Sequence, residues 1–62
     1  MAEKYRTKLL EVSVIERGAH SWEWRVHTGE HVHVCGFEVS RMAARFSGYD
    51  AMFQILAAGE TL

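Results

Sequence analysis

The sequence predicts an α+β domain: a three-stranded antiparallel β-meander with one C-terminal helix packed across one face, completed by dimerisation. Three observations predict it. Apolar and polar residues alternate over Leu9–Arg17, Trp22–His27 and His31–Cys35, the period of strands with one covered face. The joining segments, Gly18–Ser21 and Thr28–Glu30, are short and rich in turn formers, which makes consecutive strands antiparallel neighbours. After Gly36 the apolar spacing changes to the threes and fours of a helix.

Met1 to Lys8 is polar and mixed in charge, and is expected to fray or to begin the first strand. In the first strand Leu10, Val12 and Val14 share one face, while Leu9, Glu11, Ser13, Ile15 and Arg17 share the other. Trp22-Glu23-Trp24-Arg25-Val26-His27 alternates strictly over its six residues. Loop length then sets the register of the last strand. A two-residue loop at Thr28-Gly29 opposes Trp24 to His33 and mixes the faces. A three-residue loop pairs His27 with His31, Val26 with Val32, Arg25 with His33 and Trp24 with Val34, and collects the apolar residues on one side. The second register is expected, with Gly29 in the left-handed conformation such loops need.

Ser40 suits an N-cap, Arg41 to about Ala58 reads as helix, and Gly59 stands where a C-cap is expected. Met42, Phe46, Tyr49, Phe53 and Leu56 recur at spacings of four, three, four and three, one continuous stripe that Ala43 and Ile55 widen. With Trp22 and Trp24 this stripe is the expected core. Ser47-Gly48 inside the helix marks a bend or a close approach to the sheet.

A chain of 62 residues and 7.1 kDa is a single domain, residues 1–62, with 1–8 as a polar N-terminal segment. Area scaling gives about 6,200 Å² buried on folding, worth roughly 90 kcal/mol if three-fifths is apolar. Ordering the chain at ~1.5 kcal/mol per residue costs about as much. Such a monomer is marginal and gains from pairing. Leu9, Ile15, Met52 and Ile55 exceed what one small core holds and are the expected interface, through helix flanks or strand edges. A homodimer is the first expectation, and another protein the second.

No run of about 18 apolar residues exists, so neither a transmembrane helix nor a membrane partner is expected, and no signal peptide is read. A single cysteine cannot form an internal disulfide, which points to a cytoplasmic location. The net charge of −1 argues against a disordered chain or a basic nucleic-acid arm.

Trp22-Glu23-Trp24-Arg25-Val26, Thr28-Gly29-Glu30, Gly36-Phe37 and Ser40-Arg41-Met42-Ala43-Ala44 together resemble the YegP-like family of small bacterial proteins. The resemblance runs from Val12 to Leu56; the histidine-rich third strand and Gly48 depart from it. It implies the fold and a tendency to pair, and no reaction. The arrangement is also similar to the three-stranded sheet and helix of DNA-binding domains that read the major groove with their exposed sheet face. Here that face carries Glu11, Glu23, Arg17 and Arg25, whose charges cancel, where duplex binding needs uncompensated cations.

His31, His33 and Cys35 alternate on one strand, and the expected register adds His27 opposite His31. His27, His31 and His33, with Cys35 as a fourth ligand, therefore form a candidate zinc site. A solvent-facing strand tolerates the same histidines without any metal, and their titration could serve as a pH switch. Cys35 reads as a half-buried filler rather than a nucleophile: His33 stands two residues away on the same face, but no oxyanion arrangement accompanies the pair. No catalytic motif stands out, and no cofactor is expected unless zinc binds. The first functional expectation is a non-catalytic interaction or regulatory module. A metal-binding protein is the alternative, and a nucleic-acid module the third.

Overall fold

The computed structural model describes the backbone of residues 2–7 and the whole of residues 10–58. The elements follow as β1 (Ala2–Thr7), β2 (Leu10–Gly18), β3 (Ser21–Thr28), β4 (His31–Glu38) and α1 (Arg41–Ala57). The α+β class, the antiparallel meander β2-β3-β4 and the C-terminal helix are as the sequence predicts. The sheet gains a further strand: β1 pairs with β2 from Ala2↔Ile15 to Thr7↔Leu10, giving the order β1-β2-β3-β4. Strand addition needs only backbone donors and acceptors, so a polar segment can cap an edge that apolar patterning does not announce. β2 thereby becomes an inner strand, and Leu10, Val12, Ser13 and Val14 are all buried.

The ladder between β2 and β3 pairs Val12 with Val26 and Val14 with Trp24, placing the apolar residues of both strands under the helix. A shift between Glu16 and Gly18 leaves Arg17 without a ladder partner. The register between β3 and β4 corrects the expected one. Thr28 pairs with His31 and His27 with Val32 around a two-residue loop, Gly29-Glu30, with Gly29 at φ 57°. A bulge at His33 then shifts the rest, so that Val26 faces Val34, Arg25 faces Cys35 and Trp24 faces Gly36. Alternation alone offers only uninterrupted registers. The extra residue combines a tight loop, with glycine in the left-handed region, and an apolar Val26–Val34 pair on the helix side. Across from Trp24, a Cβ on Gly36 would lie 2.7 Å from the indole, so the ring lies directly over that backbone.

Ser40 caps α1 as predicted, its hydroxyl accepting from the Ala43 amide at 3.1 Å. Ala58 ends the helix with its amide donating to the Gln54 carbonyl at 3.0 Å; the cap expected at Gly59 lies outside the described residues. The face that α1 presents to the sheet differs from the predicted stripe. Ala44, Gly48 and Met52 are buried, and Tyr49, Ala51, Ile55 and Leu56 pack partly against the core of Leu10, Val12, Val14 and Val26. Met42, Phe46 and Phe53, expected in the core, are 54%, 67% and 58% exposed. Met52, expected at an interface, is fully buried. The cause is how bulk divides between the layers. The sheet already supplies Trp22 and Trp24, so the helix turns its small residues inward and comes close.

Candidate functional site

The two faces of the sheet part the predicted metal ligands. His27 pairs with Val32 on the face away from α1, whereas His31 pairs with Thr28 on the opposite face. His33 turns the same way as Thr28, bonding to its hydroxyl at 2.9 Å, and its ring meets His31 edge-on at 4.6 Å. Cys35, expected as a half-buried filler, is exposed opposite Arg25. Among the described residues no three His, Cys, Asp or Glu side chains converge as a metal site. The bulge that corrects the register thus also removes the geometry on which the zinc reading stood.

Of the predicted interface residues, Leu9 lies outside the described ones. Ile15 is half-buried on the outer face, Ile55 packs against the core and Met52 belongs to it. No helix among the described residues is long and apolar enough to cross a membrane.

The outer face instead brings together polar residues from distant stretches of chain. Ser13 and His27, fourteen residues apart, meet at 2.6 Å between Oγ and Nε2, and both are buried. On its other side the imidazole reaches the Gly29 carbonyl, with Nδ1 at 2.8 Å. A carbonyl only accepts, so Nδ1 carries a proton, and in the neutral form of the ring Nε2 accepts from the Ser13 hydroxyl. The Glu11 carboxylate stands 3.9 Å from the same Nε2. Ser13, Ile15, Arg25, His27, Gly29, Glu30 and Val32 line a half-open hollow of about 310 Å³.

Beside this hollow, Glu23 is held between two guanidinium groups. Arg17 reaches it at 2.7 Å and Arg25 at 2.9 Å, and the carboxylate itself is nearly buried. The Arg25 hydrogen bond is the main reason its pKa lies below the ordinary 4.5; burial opposes that shift, and Arg17 reinforces it. A carboxyl depressed on folding adds stability above its unfolded pKa and loses it as pH falls through the folded value. In urea titrations from pH 6 to pH 2, Glu23→Gln is therefore expected to be less stable near neutrality and to lose less on acidification. Parallel acid limbs for the two proteins would show that the cluster adds no pH-dependent stability.

On the opposite side of the molecule, Met42, Phe46 and Phe53 form an exposed flank of α1 beside the half-buried Tyr49. The Tyr49 and Phe53 rings stack with centroids 6.2 Å apart. The four-three-four-three spacing that predicted a core is thus divided between core and flank. Of that stripe Tyr49 and Leu56 do pack against the core, whereas Met42, Phe46 and Phe53 face outward. Alternation puts Ser13 and Glu11 on the outer face, but only strand pairing brings them to His27. Comparison with protein-family models, with curated proteins and with solved structures finds no match.

Proposed function

We propose that the chain is a small interaction module that works as a homodimer, pairing through the exposed flank of α1. The observation that carries this reading is the run Met42, Phe46, Tyr49, Phe53 and Leu56, which keeps heptad spacing and leaves Met42, Phe46 and Phe53 largely exposed beside a half-buried Tyr49. A seam of that period fits the seam of another helix, and a second copy of the chain supplies an identical one about a two-fold axis. Val39, 71% exposed, extends the flank at its N-terminal end. The pairing tendency implied by the YegP-like resemblance agrees with this, as does the marginal stability expected of so short a chain.

Sedimentation velocity across protein concentrations tests the reading. The wild type is expected to sediment as a dimer. Phe46→Ser combined with Phe53→Ser is expected to sediment as a monomer with an unchanged circular dichroism spectrum, because both side chains stand outside the core. A wild type that stays monomeric across the whole concentration series would overturn the homodimer. A dimer unaffected by the double substitution would place the interface elsewhere.

A further inference from the structure

The outer-face hollow carries an inference independent of dimerisation. We propose that Ser13 and His27 form a nucleophile–base pair that takes an acyl group from small esters. The arrangement has the three parts such chemistry needs. Ser13 Oγ lies 2.6 Å from Nε2, within reach for proton transfer. The Gly29 carbonyl, 2.8 Å from Nδ1, holds the ring in the tautomer that leaves Nε2 free to accept. Glu11, 3.9 Å from Nε2, faces the positive charge that the ring acquires once it takes the proton.

The surroundings indicate the substrate class. Ile15 and Val32 form apolar walls, suited to a short acyl chain. Arg25 lines the same hollow and is the direct cross-strand partner of Ser13, while β1 brings Lys4 to the register position on its other side. Arg25 places a cation in the hollow for the ester's carbonyl oxygen, on which negative charge would develop, and Glu30 lies at the loop end of the hollow. In the reaction, Ser13 Oγ bonds to the ester carbonyl carbon and its proton passes to His27 Nε2. The carbon–oxygen bond to the alcohol then breaks, and the departing oxygen takes that proton from His27, leaving acyl-Ser13 and free alcohol.

A hydrogen-bonded clip that only fastens the hairpin would show the same distances, so the test must read reactivity. The full chain is incubated with a fluorophosphonate probe. Phosphorus bonds to Ser13 Oγ, fluoride departs, and the proton goes to His27. Intact mass and peptide mapping then read the product. The expected result is one label per chain, on Ser13, absent from Ser13→Ala and formed at least 100-fold more slowly in His27→Gln, the lower end of what general-base assistance supplies. Should His27→Gln fail to fold, the wild-type pH profile decides. Labelling assisted by an imidazole rises through one titration between pH 5 and 8 and then levels, whereas an unassisted hydroxyl reacts about tenfold faster with each further pH unit. An unlabelled wild type, a label on another residue, a rate unchanged in a folded His27→Gln, or a profile that never levels would each overturn the proposal.

Discussion

Met52→Ala is expected to cost about 2–5 kcal/mol, the range for truncating a buried methionine. The side chain is fully buried on α1, enclosed by the core that Leu10, Val12, Val14 and Val26 build on the sheet. Losses of that size consume most or all of the stability of a domain this small. Met42→Ala, ten positions earlier on the same helix, is expected to stay within about 0.5 kcal/mol, since its side chain is 54% exposed. Urea midpoints of the two variants, taken at a concentration dilute enough to keep the chain monomeric, separate the observed packing from the stripe that the spacing predicts. A larger loss at Met42 than at Met52 would mean that the helix is rotated about its axis relative to the structure described above.

Gly48 produces the second large effect, through the distance between helix and sheet. A Cβ there would lie 2.5 Å from Cγ1 of Val12, a fully buried β-branched side chain with little freedom to withdraw. Gly48→Val is therefore expected to cost about 3 kcal/mol, the upper end of measured overpacking. Gly48→Ala introduces the same clash with a smaller group and recovers roughly 1 kcal/mol of helix propensity, so a smaller net loss is expected. Thermal unfolding of both variants checks the order. A stabilised Gly48→Ala would show that the helix rides higher over the sheet than the structure places it.

These two positions also show where sequence pattern stops being informative. The notion that Ser47-Gly48 marks a close approach was legible, because glycine inside a helix is costly and calls for a compensating reason. Which helix face makes that approach was not. Hydrophobic spacing identifies an apolar stripe, and a chain with two apolar stripes offers a choice that only the opposing layer decides. Here the sheet contributes indoles from Trp22 and Trp24, and volume matching assigns the small residues Ala44 and Gly48 to the contact. Met42, Phe46 and Phe53 of the larger stripe are left outward, where they become the proposed partner surface.

The sequence by itself determined the α+β class, three of the strands, the Ser40 cap, the left-handed Gly29 and the length of α1, each encoded by local period or local backbone preference. The tertiary structure alone decided the N-terminal strand, the rotation of the helix and the bulge at His33. Adding a strand depends on backbone groups, which every residue carries; rotation depends on the volume of the opposite layer. A bulge depends on reconciling a tight turn with side-chain alternation further along the ladder. That bulge leaves His31 and His33 on one face and His27 on the other. The pairing of β2 with β3 then puts His27 beside Ser13, because a ladder joins residues by register and not by nearness in sequence.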